Sequence, residues 1–312
     1  MDKYVIIADV VCDLSKEIRD YFGVELYSGG YIHFSDGRDF KTALNWEQIS
    51  REEFYKILSN KKIEVSTSPL SPDEYSLMFE RYVEKGYKVL SMSVSSKISS
   101  THSVTVKAAQ KVKQKYPDAE IYCFDSAKMS GALGLLVCYA HALKNEGKSM
   151  AEVIEWLEAN KYCVHQMGPI DDLMFIARRG RISMGKAIMG SFAGVKPMGD
   201  CNHDGYVSVL AKVKGIKKAL DTTVKYIKET AVNISEQFLI ISHSDREAYA
   251  NVLKELIEKE LRPAKVFVSD VFAASGANAG PGMIGVYYLG KESSAELCEE
   301  KTVIDKILNK TK

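Results

Sequence analysis

The sequence predicts an α/β protein in two domains: residues 1–160 on a mostly parallel sheet with flanking helices, and residues 161–312 as an α+β unit. Three observations carry that prediction. From Tyr4 to Lys144, short apolar runs alternate with helical stripes, the repetition of a parallel sheet covered by helices on both faces. After Pro197 the pattern changes to the hairpin-like stretch CNHDGYVSVL, with Asp204-Gly205 as its turn. At 312 residues the chain is long enough for two hydrophobic cores.

In chain order, Tyr4–Val10 is a short apolar run that reads as a strand, and Asp13 or Ser15 can cap the helix running to Phe22. Val24 to Phe34 reads as extended, broken by Gly29-Gly30 and closed by the turn SDGRD. Trp46, Ile49, Phe54, Ile57 and Leu58 form a helical stripe, and Val65 ends a short strand that opens a hydroxyl-rich loop. Ser71-Pro72-Asp73-Glu74 has the form of a capping box with proline at the first helical position. A strand over Tyr87–Val94, a second hydroxyl loop, a helix from Thr101 to Lys115, a strand to Phe124 and a helix over Met129–Lys144 follow. Beyond them lie a helix near Ala151–Ala159 and a strand candidate at Tyr162–Met167. The second half continues with helices at Ile216–Ala231 and Arg246–Glu260, strands at Phe238–Ser242 and Lys265–Val271, and a glycine-rich turn, AASGANAGPG. A last strand and a helix from Ser294 to Leu308 close it.

Charge is balanced, 42 basic against 41 acidic residues, so composition points to neither nucleic acid nor an anionic membrane surface. No apolar run reaches about 18 residues, so no integral membrane segment is expected. The N-terminus lacks the pattern of a signal peptide, and six scattered cysteines read as free thiols, which together imply a cytoplasmic protein.

The polar stretches are more telling. Thr67 and Ser68 follow one strand; Ser95, Ser96, Ser99, Ser100 and Thr101 follow the next and lead into a helix. Ligands collect beyond the carboxyl ends of strands in open α/β sheets, and free N–H groups at a helix start accept an anion. With the basic turn around Gly180 in FIARRGRIS, these loops form a candidate cradle for a small anionic head. Gly180 to Ala187 has the frame of a phosphate loop around Lys186, but Ala187 replaces the hydroxyl needed for magnesium. GANAGPG precedes a strand, the wrong order for a dinucleotide loop. No metal-ligand spacing or nucleophile elbow is present, so no cofactor and no enzymatic activity are expected. A small phosphotransferase or hydrolase using the same cradle is the alternative, and a binding protein for an isoprenoid or acyl phosphate is a further one.

The same stretches resemble the DegV family of fatty-acid-binding proteins. IIADVVCDLS is similar to the family's opening Asp–Ser–x–x–Asp–Leu pattern, and VSTSPLSPDEY to its Thr–Ser–x–Pro–Ser loop. VSSKISSTHS is similar to Ser–Ser–x–Leu–Ser–Gly–Thr–Tyr, and FIARRGRIS with VKPMGDCNHDGYVSVLAKVKG matches most closely. GANAGPGMIGVYY resembles the final glycine-rich run, with Asn278 where the family has histidine. The resemblance implies a long-chain fatty acid with its acyl chain buried and its carboxylate held by Thr67 with Ser68 and by Ser95 or Ser96. It places Arg181 and Asn278 near the head group. It also implies a partner, a separate fatty-acid kinase that phosphorylates the carboxylate.

Overall fold

The computed structural model describes residues 3–60, 62–182 and 194–309. Four parallel strands, β1 (Tyr4–Asp9), β2 (Tyr27–Ser28), β6 (Lys88–Ser93) and β7 (Ile121–Asp125), form one sheet in the order β2-β1-β6-β7. Every residue of β1 is buried, as expected of a parallel strand covered on both faces. Val5 and Ile7 face α3 (Pro72–Val83) and α4 (Thr101–Lys115), meeting Phe79 and Val112. Ile6 and Ala8 face the other way, into a core shared by α1 (Lys16–Phe22), α5 (Ser130–Asn145) and α6 (Met150–Asn160). The capping box expected at Ser71 forms, with Ser71 and Glu74 each receiving the other's backbone N–H.

The second four-stranded sheet has the order β12-β11-β13-β8, made of β8 (Val164–Met167), β11 (Phe238–His243), β12 (Lys265–Asp270) and β13 (Ile284–Leu289). Only β11 and β12 pair in parallel. Helices α8 (Ile216–Thr230), α9 (Glu247–Glu260) and α11 (Cys298–Asn309) contribute to its core through Leu220, Leu253 and Ile304. Helix α5 packs against strands of both sheets, which explains why it is apolar on nearly all sides. Strands β9 (Val195–Cys201) and β10 (Val207–Lys214) form the expected hairpin, with Gly205 at φ +82° in its turn.

A third sheet departs from the sequence reading. Strands β3 (Gly30–Phe34), β4 (Asp39–Lys41) and β5 (Val65–Pro69) are antiparallel, in the order β4-β3-β5, beside α2 (Arg51–Leu58). Val65 therefore begins a strand instead of ending one, and Thr67 and Ser68 lie within β5 rather than in a loop. The register between β3 and β5 is a long-range choice that neither segment specifies alone.

Two further short α-helices among the described residues are α7 (Leu173–Arg178) and α10 (Ala273–Ala279). The sequence reading made α10 a glycine-rich turn; it is a helix whose glycine signature marks its exit, at Gly280 with φ +71°. Its leading N–H, from Phe272, is donated to the Asp13 carboxylate at 3.0 Å. Of the two alternative caps for α1, Asp13 serves the distant helix, and Ser15 stands at the cap position of α1 but makes no side-chain cap bond. All six cysteines are free thiols. Among the described residues no helix is long and apolar enough to cross a membrane.

Candidate ligand-binding site

The carboxyl ends of β1 and β6, the small antiparallel sheet, α10 and the end of β8 enclose a cavity of about 190 Å³. That is over ten times the roughly 10–15 Å³ that one water occupies on the same measure, so the space suits an organic ligand. Much of its wall is apolar, with Val10, Val94, Ile98, Met129, Ile176 and Met283 among the lining residues.

Thr67, Ser68, Ser99, Ser100, Thr101, Arg181 and Asn278 add a polar region to this wall. The Asn278 amide donates to Thr67 Oγ1 at 3.2 Å and to the Ala274 carbonyl at 3.3 Å. Both amide hydrogens are thereby engaged, and the Thr67 hydroxyl keeps its own hydrogen to donate. The bond joins α10 to β5 at the cavity wall. Arg181 donates to the Arg179 carbonyl, while the Arg179 guanidinium donates to the carbonyl of Val65 at the start of β5. These bonds tie the basic turn to the strand that carries the two hydroxyls. Burial and the neighbouring Arg181 charge lower the pKa of Arg179.

Ser95 and Ser96 are not among the lining residues. Ser95 is buried, bonded through its N–H to the Lys128 carbonyl, and its hydroxyl receives the N–H of Lys97. A Cβ on Gly205 would approach that hydroxyl to 2.1 Å, so Ser95 sits beneath the β9–β10 turn. Ser96 faces outward, with its N–H on Asp125. The loop reaches the cavity through Ser99, Ser100 and Thr101 instead. The Gly180 to Ala187 frame, Lys186 included, runs beyond the described residues after Ile182.

Sequence reasoning missed three groups here. Asp9 lines the cavity, accepts the N–H groups of Val11 at 3.1 Å and Val94 at 3.3 Å, and is raised by burial to about 6. Asp13, fully buried, accepts Ser130 Oγ at 2.7 Å as well as the Phe272 N–H, and burial raises it to about 7. Both aspartates stand in IIADVVCDLS, where their spacing alone shows only possible caps. His33 bonds to Ser68 Oγ through Nε2 at 2.9 Å and to Asp39 through Nδ1 at 3.0 Å. The alternation of Tyr31 and His33 would reveal this contact only once the β3–β5 register is known. Among the described residues no three His, Cys, Asp or Glu side chains converge as metal ligands.

The family model of uncharacterised DegV proteins matches residues 3–291. A DegV domain-containing protein of Clostridium perfringens is 32% identical over 291 residues, covering 93% of this chain and 98% of that protein. The crystal structure of a fatty acid binding protein of Bacillus subtilis superposes with a TM-score of 0.77 at 25% identity, covering 93% of this chain and 100% of that one. The B3 protein of the fatty acid kinase of Streptococcus pneumoniae, loaded with linoleic acid, superposes with a TM-score of 0.78 at 18% identity, covering 93% and 100%.

Proposed function

The chain belongs to the DegV family, and from that premise we propose that it binds one long-chain fatty acid and presents the carboxylate to a separate kinase. The observation that carries this reading is one cavity with a broad apolar wall and a polar region built from Thr67, Ser68, Asn278 and Arg181. The alkyl chain supplies affinity, at roughly 0.8 kcal/mol for each CH₂ removed from water. The hydroxyls supply orientation, with Thr67 donating to the carboxylate and Arg181 bringing positive charge. The Bacillus protein's description as fatty acid binding and the linoleic acid loaded in the Streptococcus protein support this assignment, and the kinase context of the latter supports the partner. The role is that of a carrier, with no chemical step of its own, acting in the cytoplasm.

Calorimetric titration of delipidated protein tests the reading. Palmitate should bind saturably at one site per chain and hexadecanol much more weakly, because the alcohol leaves Arg181 without a counter-charge and makes no charge-assisted bond with Thr67. Equal affinities would refute a carboxylate cradle. With a competent fatty-acid kinase, Arg181→Ala should reduce acyl-phosphate formation more than palmitate binding, since phosphoryl transfer develops charge that binding alone does not. Rates compared at matched lipid occupancy decide this; equal losses in both would remove Arg181 from the transfer step.

A further inference from the structure

The geometry points to His33 as a positioning residue that couples proton uptake to carboxylate binding, by setting whether the Ser68 hydroxyl can donate. This inference rests on the fatty-acid reading above. Asp39 accepts a hydrogen bond from His33 Nδ1 at 3.0 Å, which fixes the proton of the neutral ring on that nitrogen. Nε2, 2.9 Å from Ser68 Oγ, is then an acceptor, and Ser68 spends its only hydrogen on the ring. In that state Ser68 offers the cavity lone pairs alone, which repel a carboxylate. Protonation of His33 reverses the bond: Nε2 becomes the donor, the Ser68 hydrogen turns to the ligand, and a positive charge stands behind it. A carboxylate therefore favours the protonated ring, and an alcohol, which can donate to Ser68, has no such preference.

The surroundings permit this exchange. The His33 side chain is 41% exposed and that of Asp39 64%, so the ring trades protons with bulk water while Ser68 lines the cavity. Strand β4 brings Asp39 and Lys41 alongside β3; β5 brings only Ser66 and Ser68; and Tyr31, stacked on His33 with centroids 6.4 Å apart, bonds to Glu74 of α3. Glu74 in turn feels the charge of Lys41, leaving Asp39 as the carboxylate in direct contact with the ring. A nucleophilic use of the same Asp39–His33–Ser68 chain lacks support: the next residue is Pro69, which has no N–H to stabilise an oxyanion.

The test is titration of delipidated protein with palmitate and with hexadecanol, in buffers of different ionisation enthalpy, at about pH 6 and about pH 8.5. Net proton uptake is expected on binding palmitate and none on binding hexadecanol. His33→Gln and Ser68→Ala should each remove the uptake, and His33→Gln should weaken palmitate by about tenfold at the lower pH while leaving hexadecanol unchanged. Asp39→Asn should reduce the uptake without abolishing binding. Uptake that persists undiminished in His33→Gln would place the proton elsewhere, on the acid or on Asp9, and overturn the inference. Tight palmitate binding without uptake in the unaltered protein would do the same. If palmitate does not bind at all, it is the fatty-acid reading that fails.

Discussion

Asp13→Ala is expected to lower the free energy of unfolding by about 3–5 kcal/mol, because it strands several buried donors at once. The carboxylate receives the Ser130 hydroxyl at the start of α5 and the Phe272 N–H before α10, with Ser275 beside it. Its own carbonyl receives Ser269 Oγ at 2.6 Å. One side chain thus joins the central helix to the helix that carries Asn278. Asp13→Asn should cost less, since an amide oxygen still accepts. Urea unfolding of the three proteins at one pH measures the difference, and a loss below about 1 kcal/mol for alanine would mean that these donors find other partners.

The same carboxyl sets a pH dependence whose sign follows from burial. Asp13 is raised from 3.8 to about 7 and Asp9 from 3.8 to about 6, so between those values the folded chain holds protons that the unfolded chain has released. The contribution is fully present below the unfolded value and is lost as pH rises through the folded values, so stability should fall across this window. Asp13→Asn should flatten the upper part of that slope. Unfolding curves showing stability rising over the same interval would contradict buried, proton-holding aspartates.

Thr67→Ala is expected to weaken palmitate by roughly ten- to a hundredfold, the loss of one hydrogen bond to a charged group at about 1.5–3 kcal/mol. Thr67→Ser, which keeps the hydroxyl, should recover most of it. Asn278→Ala should cost less than Thr67→Ala, because Asn278 contributes through the bond it donates to Thr67. The double variant should bind no worse than Thr67→Ala alone, the mark of two residues acting through one contact. Additive losses by calorimetry would show that Asn278 meets the ligand directly.

The sequence by itself determined the parallel core, the hairpin, the capping box at Ser71 and most helices, because each rests on local periodicity or on a cap within a few residues. It also singled out Thr67, Ser68 and Arg181, to which the family resemblance added Asn278, and all four line one cavity. What only the tertiary structure decided has a common cause in pairing between distant segments. The register of β3 on β5 moved Thr67 and Ser68 from a loop into a strand and set His33 opposite Ser66, diagonally within reach of Ser68. The Asp13 carboxylate caps α10 from 259 residues away, so a glycine-rich stretch that reads locally as a turn begins as a helix. Ser95 fits beneath Gly205 because the β9–β10 turn descends on it, which leaves Ser99, Ser100 and Thr101 to face the cavity. Local chemistry names which side chains can bind an anion, whereas strand register and long-range caps decide which of them converge on the same space.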